Sequence, residues 1–254
     1  MSAPVPDSVP KRPPHLIRSA IRPSTSHTPI DASTAVLAFM GAWVAAQIVS
    51  VIVLAVLGGG DSISDTPIGV LAVALIAGWS AYLAGMWFAS QRAGSGSPVA
   101  DYGISIAPID AVGLGIGVLS QLVLVRVVYL PLEAMWPDTF TDDRLQENAK
   151  DLIDTAGGAS IVLLFAIVVL GAPIVEELFY RGLLQRSLAA RFNDGLVVVG
   201  VALVFAFIHF RPIEYPGLFA FGLVLGFTAI RTDRLGMPIL THIGFNLTGL
   251  LLAW

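Results

Sequence analysis

The sequence predicts an all-α protein, a polytopic transmembrane helix bundle of about seven to eight helices. Two observations carry this. Hydrophobic residues make up 56% of the 254 and charged residues only 13%, with a mean hydropathy of +0.80. A soluble domain carries about 25% charged residues, so lipid is the solvent for most of this surface. The apolar residues also fall in repeated runs of span length, with no strand-like alternation. A soluble globular enzyme is thereby excluded. A net charge of −4 without a basic domain gives no footing for nucleic-acid binding. The absence of cysteine excludes disulfides, thiol catalysis and cysteine metal sites.

Residues 1–33 differ from the rest. They hold seven of the 16 prolines together with Lys11, Arg12, Arg18 and Arg22, and read as a disordered, basic, proline-rich arm. The following run, Ala35–Leu57, is too long for a signal-peptide core of about 7–15 residues. It opens the bundle, which occupies 34–254. Spans are expected at about 34–58, 67–90 and 109–132. A long run over 158–192 is apolar first and amphipathic at its end. Three more runs follow at about 195–210, 215–231 and 236–254. A span needs roughly 17–25 residues, so the first two of these are short. Between the third and fourth spans, 133–157 reads as an acidic loop with Glu133, Asp138, Asp142, Asp143, Glu147, Asp151 and Asp154.

Seven crossings put the chain ends on opposite sides. With the N-terminus inside, ten Lys and Arg residues fall in inner segments, Arg181, Arg186 and Arg191 among them, and three in outer ones. That is the asymmetry of the positive-inside rule. It makes the arm cytoplasmic and the acidic segment external. Arg126 lies within a span, where it snorkels or pairs.

Ionisable groups inside hydrocarbon cost roughly 2.5–3.5 kcal/mol each on insertion scales, so those present need a reason. Glu176 and Glu177 interrupt the fourth span. His209 ends the fifth, and His242 sits in the seventh, one turn before Asn246. Glu177 and Arg181 are four residues apart and share a helix face. Glu176 is rotated about 100° from Glu177, so the two carboxylates diverge, with Glu177 paired and Glu176 free. Phe205 with His209, and His242 with Asn246, also share faces. If Asn193-Asp194-Gly195 is a tight turn, Glu176 and His209 both lie roughly 20–25 Å from it. They can then meet at one level. His242 reaches that level only if the 181–195 hairpin protrudes. Taken singly, a Glu–Arg pair is a structural clamp and a membrane histidine an interhelical hydrogen bond. Glutamate, two histidines and asparagine on three helices together form a hydrolytic set.

These residues stand in three motifs: Glu176-Glu177-Leu-Phe-Tyr-Arg181, Phe205-Ala-Phe-Ile-His209 and His242-Ile-Gly-Phe-Asn246. The sequence thereby resembles the CAAX prenyl endoprotease and bacteriocin-processing (CPBP) family of membrane proteases, over a core of 157–254. The resemblance implies a polar intramembrane cavity open toward cytoplasm and membrane, and intramembrane endopeptidase activity. It implies Glu176 as general base and His209 as the group that orients water and shuttles its proton. His242 and Asn246 would stabilise the oxyanion, and Glu177 and Arg181 would brace the site. Two mechanisms fit: a glutamate protease without cofactor, which the residues favour, and a zinc enzyme with Glu176, His209 and His242 as ligands. The chain lacks the usual His-Glu-x-x-His zinc signature.

The expected partners are a protein or peptide substrate at the membrane, lipidated or not, and membrane lipid. The expected location is a prokaryotic plasma membrane. Two other functions compete: a non-proteolytic immunity or partner-binding protein built on the same bundle, and a proton-coupled transporter. The transporter would show inverted repeats, and no internal repeat is visible.

Overall fold

A computed structural model describes residues 28–254 apart from 61 and 63. Nearly all of the proline-rich arm thus lies outside the described residues. The rest is a helix bundle: α1 (Ala32–Leu57), α2 (Ile68–Ala93), α3 (Pro108–Met135), α4 (Asp142–Thr155), α5 (Ser160–Ala189), α6 (Asp194–Phe207), α7 (Tyr215–Thr232) and α8 (Gly236–Ala253). A short helical turn, Pro98–Asp101, stands between α2 and α3. Among the described residues, six helices are long and apolar enough to cross a membrane: α1, α2, α3, α5, α8, and α7 with its leading turn, Pro212–Thr232. The protein is a polytopic all-α membrane bundle, with no strand among the described residues.

Small residues set the closest helix approaches, as they do where lipid supplies no hydrophobic drive between helices. In the α1–α2 hairpin, a Cβ on Gly85 would stand 2.7 Å from the Ala42 side chain. Ser50 Oγ donates to Ala74 O at 3.0 Å across the same seam. The tightest crossing is α3 on α8. A Cβ on Gly113 would lie 2.6 Å from Met237 O, and one on Gly117 would overlap Thr241 O. From the other side, a Cβ on Gly244 would overlap Leu114 O. The helices α5 and α7 run parallel and are laced by side chains to backbone. Arg181 Nη2 donates to Gly222 O at 3.3 Å, and Gln185 Nε2 donates to Gly226 O at 2.9 Å.

Among the described residues two helices carry π-helical turns: α3 carries one, over Ser120–Leu124, and α5 carries two, over Ala166–Gly171 and Leu178–Gln185. Pro173 accounts for the first of the α5 turns. Its ring and missing N–H cannot continue an α-helical ladder, and a widened turn relieves the clash. The two wide turns bracket the α-helical stretch Ala172–Glu177 that carries both glutamates.

The two ends of the bundle differ. At one end the 94–107 segment meets the α7–α8 turn: Leu235 N–H donates to Gly103 O and Gly236 N–H to Ser105 O, both at 3.1 Å. Arg234 grips the fully buried Asp110 through Nε and Nη2, at 2.9 and 2.7 Å. That carboxylate holds the Arg234 guanidinium above its ordinary range. Arg186 pairs with Asp233 at 2.9 Å.

The other end departs from expectation. Most of the stretch expected as an acidic loop is the helix α4. Thr141 accepts the Arg144 N–H as its N-cap, and Asp142 and Asp143 favour the positive end of its dipole. Leu152 and Ile153 pack on a small apolar cluster with Leu164 and Leu250. No α4 side chain is fully buried. The helix α6, expected over 195–210, ends at Phe207. Arg181, counted among the inner cations, is buried inside the bundle. The Lys/Arg asymmetry is therefore nine against three.

Candidate active site

The fourth span folds so that its two glutamates face opposite neighbours. Glu177 is fully buried, and its Oε1 receives two hydrogen bonds of 2.9 Å, from Arg181 Nη1 and from His242 Nδ1. The Arg181 pair is the one the spacing predicts. The His242 contact is not, since 65 residues separate the partners. A carboxylate paired with guanidinium only accepts, so His242 donates from Nδ1 and turns its Nε2 away from Glu177. Glu176 is half-buried and shares its face with Phe179 and Tyr180, three and four residues on. The Tyr82 ring of α2 stacks on Phe179 at 4.2 Å and thereby stands on the Glu176 side. The expected divergence of the carboxylates is present.

Phe205 of α6 joins these groups. Its ring meets His209 at 4.9 Å, His242 at 5.8 Å and Tyr180 at 5.3 Å, all edge-on. The Arg181 guanidinium lies over it at 4.8 Å. Its carbonyl accepts from His209 Nδ1 at 2.6 Å. A carbonyl only accepts, so His209 too presents Nε2. The turn that positions α6 forms as expected, with the Asn193 side chain accepting from Gly195 and Leu196 N–H. Asn246 sits one turn beyond His242 and donates from Nδ2 to Val168 O at 2.8 Å. That bond uses one amide N–H and leaves the other.

The structure thus joins Glu177, Arg181 and His242 by direct hydrogen bonds and sets His209 beside them across Phe205. Asn246 shares a helix face with His242. Glu176 stands on the α1–α2 side of the same turn of α5. Glu176, His209 and His242 do not gather as a three-ligand metal group, nor does any other His, Asp or Glu set among the described residues. Sequence reasoning missed Tyr82, Tyr180, Phe221 and Val168. Only Tyr180 carried a signal, its spacing of four from Glu176.

A cavity of about 300 Å³ lies between α3, α4, α7 and α8, and none of Glu176, Glu177, Arg181, His209, His242 and Asn246 lines it. Its mouth is at Arg126, Glu133 and Asp142, at the end of the bundle opposite Arg186 and Arg234. Arg126 pairs there with Glu133 at 2.8 Å and Asp142 at 3.5 Å.

Comparison with known families agrees with this fold and motif set. The fold and site define a polytopic membrane protein with a buried ionic and histidine cluster in its interior. Residues 158–248 match the family model described as Rce1-like, type II CAAX prenyl endopeptidase Rce1-like. The matched segment runs from the start of α5 to the last turns of α8 and contains all three motifs. No curated protein and no solved structure matches the chain.

Proposed function

We propose that this protein is an intramembrane endopeptidase that hydrolyses a peptide bond of a membrane-associated or lipidated protein or peptide. One observation carries the reading: α5, α6 and α8 bring Glu177, Arg181, His209 and His242 around Phe205 in the interior of a membrane bundle. A polar cluster of this kind is expensive in hydrocarbon and calls for a function.

Glu176, half-buried and free of the ionic pair, takes a proton from water. The water oxygen attacks the substrate carbonyl carbon, and the carbonyl oxygen becomes an oxyanion. His242, through Nε2, and Asn246, through its remaining N–H, stabilise that charge. Donors so placed contribute about 10²–10³ in rate. His209, with its ring oriented by the Phe205 carbonyl, carries the proton to the leaving amine. Glu177 holds the His242 ring at Nδ1, and Arg181 neutralises Glu177. This is glutamate-type chemistry. The Lys and Arg distribution supports a cytoplasmic N-terminus and an external α4, and the membrane we propose is a prokaryotic plasma membrane.

The test is cleavage of a quenched peptide library by purified protein in detergent. Wild type is expected to cleave with or without chelator, and Glu176→Gln to be inactive with unchanged thermal stability. Full activity in Glu176→Gln would remove the assigned base and favour the non-proteolytic reading. Activity lost to chelator and restored by zinc would overturn the glutamate mechanism.

A further inference from the structure

A second, much smaller pocket lies between α5, the end of α7 and the 94–107 segment. Its volume is about 20 Å³, and Arg181, Gln185 and Arg186 line it together with Asp233 and Arg234. The first three of these residues each hold a buried polar atom that has no hydrogen-bond partner among the described residues: Arg181 Nε, Gln185 Oε1 and Arg186 Nε. Arg181 and Gln185 are each only 2% exposed. Leaving one such group unpaired costs about 1–3 kcal/mol, and a membrane interior supplies no bulk water to meet it.

The local backbone explains why the three residues converge. Leu178–Gln185 is the second π-turn of α5. Such a turn closes i→i+5 bonds in place of i→i+4, so the residues four and five positions after Arg181 share its face. Their other polar groups all reach α7 or its end: Arg181 Nη2 donates to Gly222 O, Gln185 Nε2 to Gly226 O, and Arg186 Nη1 to Asp233. A carbonyl only accepts, so the Gln185 amide is fixed with its nitrogen toward Gly226 and its oxygen left over. The pocket therefore offers two N–H donors and one acceptor.

Charge and size select the occupant. Three guanidiniums line the pocket, and each is paired with a carboxylate. Arg181 pairs with Glu177 and Arg186 with Asp233, both at 2.9 Å, and Arg234 pairs with Asp110 at 2.7 Å. The formal charges cancel, so the pocket calls for a neutral guest, and Gln185 Oε1 repels a halide. A water needs roughly 10–15 Å³ and two to four polar partners. The pocket has room for one and supplies three partners.

We propose that one ordered water is bound here, accepting from Arg181 Nε and Arg186 Nε and donating to Gln185 Oε1, and that Gln185 is through it a positioning residue for the buried ionic cluster. The Arg181 guanidinium is then held at all three nitrogens, with Nη1 on Glu177, Nη2 on Gly222 O and Nε on the water. Glu177 and the His242 ring bonded to its Oε1 are held in turn. Asp233 and Arg234 are partly exposed and form the outer rim, so the water exchanges with solvent at the end of the bundle opposite α4. The inference concerns what holds the cluster and stands apart from the peptidase reading.

The test is NMR of the full chain in detergent, labelled with ¹⁵N at arginine and histidine. The Arg186 Hε resonance is assigned by its loss in Arg186→Lys, and that of Arg181 by its contact with the Phe205 ring protons. Both are expected to show a dipolar cross-peak to water, equally in sulfate and in chloride buffer. Gln185→Met removes the acceptor at similar volume. It is expected to weaken both cross-peaks several-fold, to shift or broaden the His242 Hδ1 resonance, and to lower the melting temperature by roughly 2–12 °C. Ala229→Val crowds the pocket from α7 and leaves the Gln185 bond to Gly226 in place. It is expected to remove the same two cross-peaks and to disturb the same histidine signal. Absence of both cross-peaks in the wild type would overturn the water. Cross-peaks present in sulfate and lost in chloride would replace the water with a halide. Full-strength cross-peaks in both variants would overturn the assigned seat. An unchanged His242 signal in both variants would overturn the positioning role of Gln185.

Discussion

Replacing Arg181 by Met isolates the energetics of the buried pair. Arg181 and Glu177 side chains are both 0% exposed, and the pair is 2.9 Å long. Met keeps most of the volume under Phe205 and removes the charge, the bond to Gly222 O and the stacking on the ring. What remains is a buried carboxylate with only His242 as donor. Breaking a buried pair on one side costs about 3–5 kcal/mol, whereas replacing both partners by groups of similar volume is often neutral. Glu177→Gln with Arg181→Met should therefore be far more stable than Arg181→Met alone, because an amide oxygen at 177 still accepts the His242 N–H. With roughly 2–4 °C per kcal/mol for a chain of this size, the single variant should lose about 6–20 °C. The double variant should recover more than half of that. The assay is thermal unfolding of the four proteins of the cycle in one detergent. A single variant within about 2 °C of wild type, or a double variant that loses the sum of both single effects, would refute the coupled, desolvated pair.

Other outcomes follow from the same geometry. Gly117→Ala pushes a Cβ into Thr241 O and should cost roughly 1–3 kcal/mol. Gly115→Ala, which meets nothing within 4 Å, should be neutral or stabilise by about 0.5–1 kcal/mol. Equal melting points for the two would discount the α3–α8 seam. Asn246→Ala should lower cleavage by about 10²–10³. It should also lower stability by about 1–3 kcal/mol, because Val168 O loses its donor. Loss of stability at full activity would make Asn246 a structural residue alone. Single-cysteine labelling in membrane vesicles should reach 94–107 from the cytoplasmic side and 136–159 from the other. The reverse pattern would invert the topology and turn the cavity mouth inward.

The spans were legible because each is a long apolar run, and lipid demands little else of a sequence. Of α4 only the charges were visible. Its apolar stripe of Leu145, Leu152 and Ile153 is interrupted by carboxylates, so hydropathy reads it as loop even though Thr141 and the two aspartates after it are a standard helix start. The Glu177–Arg181 bond was legible because four residues on a helix are neighbours. The Glu177–His242 and Asn246–Val168 bonds were not, since they depend on how α5 packs on α8. The Asp110–Arg234 grip, 124 residues apart, left no trace in spacing. Nor did the position of Phe205 between the histidines, which exists only once three helices have met.

The α3–α8 seam bears on what can be exchanged between proteins of this kind. The matched segment 158–248 carries all the motifs, yet the helix that carries His242 is registered by Gly113, Gly117 and Asp110, which lie some forty residues or more ahead of that segment. A graft of that segment alone would take the motif residues and leave behind the surface against which they are indexed. Substitutions in α3 that touch no motif can therefore slide His242 and Asn246 along the membrane normal together. The glycine pair is the stop that fixes their depth.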